Sequence, residues 1–284
     1  MATTTIERDA GPAGAGLLGQ LRGDAARRAL VDPGLAGGLR AWLEDGVVEL
    51  CRAAPGSLPV RVTARSVRRL AGGAGGGSPT SGNRPIGALA RAALVRALFR
   101  QLVTTGRLGD PMHEGLDALG VEPEQADLVA RIAGLRSEQR AALAEEVAAH
   151  AAVLRRHWSL VPDQWLPRCA DRLTIPLGGG RVVLSGVVDL LIGRPCADRA
   201  SVCLVLVRAG PARPEDRAEL LFAALLETLR SGAPPFRAAL HYSGTGETLI
   251  VDVTEQELAR AVQRTVDALG CDPAVEPTAG VLDQ

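Results

Sequence analysis

The hydrophobic period of this chain changes from 3.6 to 2 at Arg172, and that change divides it into a helical portion and an α/β portion. Arg172 to Leu177, Gly178-Gly179-Gly180 and Arg181 to Ile192 read as a hairpin whose second strand carries Gly186-Val187-Val188-Asp189. An apolar strand ending Leu204-Val205-Leu206-Val207-Arg208 follows. Pro214 then fits the first turn of a helix with Ala218, Leu221, Phe222, Leu225 and Leu229 as its buried stripe, and Gly232 ends it. Phe236 to Tyr242 and Glu247 to Val253 form a second hairpin around Ser243-Gly244-Thr245-Gly246, and Glu255 to Leu269 is the last helix.

Upstream of the change, helices are expected over Leu17 to Leu30, Leu35 to Ala54, Val60 to Leu70, Pro85 to Thr105 and, as one or two segments, Glu122 to Trp158. The resulting organisation is a disordered tail at 1–14, a helical region at 15–157 with a Gly-rich connector at 71–83, an α/β core at 158–270 and a disordered tail at 271–284. The fold class is α/β: a mixed sheet flanked by helices and preceded by the helical region.

Composition excludes several chemistries. All 32 basic residues are arginine. With no lysine there is no Walker A lysine and no Schiff base, so Gly72 to Gly77 is a connector and not a phosphate-binding loop. The cysteines (Cys51, Cys169, Cys196, Cys203, Cys271) lie far apart and lack zinc or iron-sulfur cluster spacing, which leaves them as free thiols. No apolar run approaches the roughly 20 residues that cross a bilayer, and Met1 to Gly16 lacks signal-peptide character. The expectation is a cytoplasmic protein with no membrane partner. Gly-x-Ser-x-Gly and paired-histidine motifs are also missing.

Charge is balanced overall but uneven along the chain. Between Glu49 and Asp110 there is no acid, while ten arginines occur. Arg61, Arg65, Arg68 and Arg69 fall at offsets of 0, 4, 7 and 8, one face of a helix, and Arg91, Arg96 and Arg100 lie outside the apolar stripe of the next. Such a segment suits phosphate contacts in nucleic acid, or acids such as Glu138, Glu145 and Glu146 cover it. Trp158 and Trp165, just before the sheet, either stack on a base or pack between the two portions. Asp189 stands among Val187, Val188, Leu190 and Leu191, where an isolated carboxylate is costly to desolvate. It needs a partner: a metal, an arginine or a backbone N–H.

Gly186-Val187-Val188-Asp189, the strand ending at Arg208 and the helix after it resemble the RecB-like branch of the PD-(D/E)XK nuclease superfamily, over roughly residues 140–270. In that family a Gly-x-x-Asp strand precedes a strand ending Asp/Glu-x-Lys and a helix bearing Gln-x-x-x-Tyr. Here Asp189 matches, while Leu206 and Arg208 occupy the slots of the second acid and the lysine. On the helix, Glu219 lies near the place of the Gln and Ala223 stands in that of the Tyr.

The resemblance implies a nuclease-fold protein with a degenerate site, binding DNA or a protein partner in DNA maintenance or defence. Its alternatives are an active Mg²⁺-dependent deoxyribonuclease, or a structural subunit docked on a helicase or another nuclease. In the active case Asp189 and Glu219 hold Mg²⁺, with Glu215 and Glu227 as weaker substitutes. The family also carries a histidine on a helix before the Gly-x-x-Asp strand, a part His150 can take; otherwise it is a hydrogen-bonded core histidine. Arg208 cannot transfer a proton, but its fork can hold a phosphate or pair with Asp189. Glu219 or Glu215 within bridging reach of Asp189 points to the enzyme, and Arg208 bonded to Asp189 points to the degenerate form.

Overall fold

The computed structural model describes residues 16–22, 31–53, 60–72, 86–196 and 199–271; the expected tail at 1–14, all of the other tail except Cys271, which ends the last helix, and most of the Gly-rich connector lie outside these ranges. Nine helices are described, α1 (Leu17–Arg22), α2 (Leu35–Ala53), α3 (Ala64–Ala71), α4 (Ile86–Thr105), α5 (Pro111–Gly120), α6 (Ala126–Ala133), α7 (Ser137–His157), α8 (Asp216–Ser231) and α9 (Glu255–Cys271). Six strands accompany them: β1 (Val60–Thr63), β2 (Arg168–Leu177), β3 (Val182–Ile192), β4 (Cys203–Arg208), β5 (Arg237–Tyr242) and β6 (Thr248–Asp252). They form one mixed sheet with helices on both faces, and α2, α3, α8 and α9 cover one face while α1 and α4 to α7 cover the other. Among the described residues no helix is long and apolar enough to cross a membrane.

The sequence period places these layers. In β4, Leu204 and Leu206 turn to the α8 face while Cys203, Val205 and Val207 turn to the α4 face. Helix α8 is buried from Leu220 to Leu229 as it crosses from β4 to the parallel β5, the usual reason a crossover helix is apolar nearly all round. Gly232, at φ 83°, closes it in the left-handed conformation that glycine adopts without cost.

One expected element changes type. Val60 to Thr63 is a strand and not the first turn of a helix, pairing parallel with Val182 to Ser185. Val60, Val62 and Thr63 are β-branched, and Val62 is buried in the α8-side core, so burial at period 2 overrides the helical spacing of the arginines. The supposed four-arginine helix face is therefore split, with Arg61 on β1 and Arg65, Arg68 and Arg69 on α3. A helix that the hydrophobic pattern did not suggest, α5, is started by Asp110, whose carboxylate accepts from the N–H groups of Met112 and His113, with Pro111 in its first turn.

The pairing around β3 creates a fork. Strand β2 takes one edge of β3 through the registers Leu177↔Val182 to Arg168↔Leu191. Strands β1 and β4 must therefore share the other edge, β1 opposite Val182 to Ser185 and β4 opposite Leu190 to Ile192. Gly186 to Asp189 lie in the gap between them.

At this level the β2–β3 ladder also skips one pair, Ala170 with Asp189, and Ala170 has φ 51°. Both strands change faces there: Leu173, Ile175, Val188 and Leu184 point to α8, whereas Cys169, Leu190 and Ile192 point to α4. The outer edge of β2 is guarded by Pro176, whose carbonyl accepts from Arg40 Nη1 at 3.3 Å, so it offers no regular ladder to another chain.

Candidate functional site

The residues singled out by sequence converge at the fork. Gly186 is needed there for packing, because a Cβ on it would stand 2.9 Å from Leu226 Cδ1 of α8. Three residues on, where β3 and β4 part, the Asp189 carboxylate replaces the missing ladder. Its Oδ2 accepts from the N–H of Val207 at 2.7 Å, and Arg96 Nε of α4 approaches Oδ1 to 3.3 Å. Asp189 is 2% exposed, and burial pushes its pKa up against the opposing pull of Arg96, the Val207 N–H and Arg100, with Glu219 adding to the rise.

Arg208 turns away from Asp189 and toward α8. Its Nη1 donates to Asp216 Oδ1 at 2.6 Å and its Nη2 to Glu219 Oε2. From α3, Arg68 Nη1 comes within 3.4 Å of Glu219 Oε2 and 4.0 Å of Asp216 Oδ1. The second Asp216 oxygen accepts from Tyr242 Oη at 3.0 Å and from the Arg213 N–H at 2.9 Å. Tyr242 is the register partner of Arg208 on β5, and burial, then the neighbouring Asp216 carboxylate, push its phenol pKa upward. Two guanidinium groups and two carboxylates, with a phenol, thus form one closed network in which Asp216 is fully buried.

Sequence reasoning did not find Asp216 or Tyr242. The available signal was the spacing Arg213-x-x-Asp216 just after Pro211, where a carboxylate returns to an N–H three residues earlier. The position of the chain's single tyrosine on β5 becomes informative only once the parallel β4–β5 register is known.

His150 faces inward from α7, and its Nδ1 lies 2.9 Å from Ser243 Oγ. Ser243 Oγ also lies 3.2 Å from the Arg208 carbonyl, so the serine links His150 to the end of β4. Burial holds the His150 pKa below its ordinary value. The histidine is a neutral strut that fixes the end of β4.

Among the other candidate acids, Glu215 is the N-cap residue of α8. Glu227 is buried near the other end of that helix, with Arg230 Nη2 at 2.6 Å.

The arginines of the acid-free segment separate into two sets. Arg68 and Arg96 enter the site as described, Arg91 pairs with Glu146 at 2.6 Å, and Arg100 pairs with Glu122. Arg61, Arg65 and Arg69 lie on the exposed side of β1 and α3. Trp158 is 3% exposed and packs edge-on against Phe99, and Trp165 lies under the Arg22 guanidinium at 4.8 Å.

The donor set does not fit a divalent cation. Asp189 and Glu219 are each paired with arginine, Leu206 is buried in the α8-side core, and among the described residues no group of three or more His, Cys, Asp or Glu side chains is placed to hold a metal. Comparison of the chain with protein-family models and with curated proteins returns no match.

Proposed function

We propose that this protein is a RecB-like PD-(D/E)XK nuclease-fold protein whose metal centre has been replaced by arginine–carboxylate pairs, and that it binds DNA without cleaving it, in DNA maintenance or defence. The observation that carries the reading is the pairing of both expected metal-binding acids, Asp189 with Arg96 and Glu219 with Arg208 and Arg68. Three further observations support it. The order α7, β2, β3, β4, α8, β5 contains an antiparallel triplet followed by a helical crossover to a parallel strand. Asp189 stands where β3 and β4 part, and Arg208 ends β4 facing the next helix. Arg61 and Arg65 are exposed on β1 and α3, and neutralising phosphates with arginine supplies the sequence-independent part of DNA affinity.

The test is incubation of end-labelled single-stranded and duplex DNA with Mg²⁺ or Mn²⁺, beside the Asp189→Ala variant. The expected result is retarded DNA and no cleavage by either protein. Replacing Arg61 and Arg65 together by glutamine weakens binding and lowers the salt slope by about 2 if each meets one phosphate. Cleavage that disappears in Asp189→Ala overturns the reading in favour of an Mg²⁺-dependent nuclease using Asp189 and Glu219. Neither cleavage nor retardation turns the function toward a helicase or nuclease protein partner.

A further inference from the structure

We infer that Arg96 is a phosphate-binding residue for which Asp189 is the built-in competitor. The two partners differ sharply in accessibility, since the Arg96 side chain is 42% exposed whereas that of Asp189 is 3% exposed. Their closest approach is through Nε at 3.3 Å, and among the described residues the guanidinium fork of Arg96 makes no hydrogen bond. An arginine held at its inner nitrogen and half open to solvent can present both Nη groups to an oxyanion, in the bidentate geometry that suits phosphate.

Arg100, one helical turn along α4 and itself paired with Glu122, adds positive potential at Asp189, while Glu219 acts in the opposite sense. The other Asp189 oxygen keeps the Val207 N–H at 2.7 Å while Arg96 stays in place beside the carboxylate. Phosphate bound at the two Nη groups shares the Arg96 guanidinium with Asp189, whose negative charge opposes it, so the Arg96–Asp189 pair lowers the affinity.

This assignment deepens the proposed function and rests on it only for the source of the phosphate, a nucleic-acid backbone as opposed to a free phosphate. It reverses the behaviour of a metal-dependent site, in which losing the acid loses the ligand.

Binding of pyrophosphate, by calorimetry, and of a fluorescent oligodeoxynucleotide, by anisotropy, is measured without divalent cations for wild-type, Asp189→Asn, Arg96→Gln and Arg96→Lys proteins. Asp189→Asn should tighten both ligands by roughly two- to fivefold, as expected for freeing a part-exposed ion pair. Arg96→Gln should lose pyrophosphate binding, and Arg96→Lys, which keeps the charge without the fork, should fall between. An Asp189→Asn protein that binds as wild-type or more weakly overturns the inference, as does Arg96→Gln binding pyrophosphate normally.

If Asp189→Asn is unfolded in the assay, the graded loss in the two Arg96 variants decides the question alone, with circular dichroism confirming their fold. Pyrophosphate bound through Arg96 without oligonucleotide binding keeps the inference and removes the DNA reading. Oligonucleotide binding indifferent to Arg96 and Asp189 does the reverse.

Discussion

Arg208→Met is the substitution that most directly weighs the arginine-filled centre. It removes a guanidinium that is 15% exposed and holds two acids, Asp216 at 2.6 Å, itself fully buried, and Glu219. Removing one member of a buried pair typically costs about 3–5 kcal/mol, because the remaining charge stays desolvated. Here the residual support is substantial: Asp216 keeps the Tyr242 hydroxyl at 3.0 Å and the Arg213 N–H at 2.9 Å, and Arg68 lies 4.0 Å away. The cost therefore belongs near the lower end, about 3 kcal/mol. At about 2–4 °C per kcal/mol for a domain of this size, the melting temperature should fall by about 6–12 °C. Urea and thermal unfolding of Arg208→Met, Asp216→Asn and the double variant form the appropriate cycle, with an expected coupling of about 2 kcal/mol. A cost below about 1 kcal/mol with no coupling would falsify the reasoning, since it would mean that these acids are solvated and available to another cation.

Two further perturbations test the layers that support the site. His241 is fully buried on β5, and its pKa is lowered to about 4 by burial and by His157. The folded state thus binds fewer protons than the unfolded one between the two pKa values, and stability is lost as pH falls from 6.5 toward 4, by about 3 kcal/mol in all. Urea titrations across this range should show that loss, and His241→Asn should flatten it; an unchanged acid limb would remove His241 as its cause. Gly186→Ala drives a methyl to 2.9 Å from Leu226 Cδ1 and should destabilise by about 1–2 kcal/mol after the gain in strand propensity, with Leu226→Val in the same chain restoring most of it. Unchanged stability in chemical denaturation would show that the helix–sheet contact yields freely.

The parts of this structure legible in the sequence are those set by a single period. The alternation in the strands around Gly186 to Asp189, the stripe on α8 and the stop at Gly232 each follow from local residue types, and the mixed sheet flanked by helices follows from their order. Val60 to Thr63 was obscured because its arginines have helical spacing while its β-branched residues have strand spacing, and only burial against β3 decides between them. Partner choice was less legible still. Asp189 and Arg208 were readable as a pair because Asp189, isolated among apolar residues of β3, needs a partner and Arg208 ends the next apolar strand, but alternation along β4 turns Arg208 with Leu206 toward the α8 face, where Asp216 and Glu219 wait. The partner of Asp189 is Arg96, 93 positions earlier in the chain, on a helix whose docking against this face no local pattern announces.

The chemical consequence of a chain without lysine is concentrated at Arg208. A lysine there would present one compact ammonium, free to approach one acid at a time and able to lose its proton when desolvated. Arginine instead sends one nitrogen to Asp216 and the other to Glu219, so a single planar group holds two carboxylates of α8 at a fixed separation. The proton cannot leave the guanidinium, and the fork cannot turn to a third ligand without abandoning one of the two acids. Arg68 adds a second cation on the same carboxylates from α3. The geometry that makes this centre a poor general acid or metal site therefore also makes it a clasp joining β4, α8 and α3. The open guanidinium of Arg96, on the opposite layer, is the part of the site left open to a second partner.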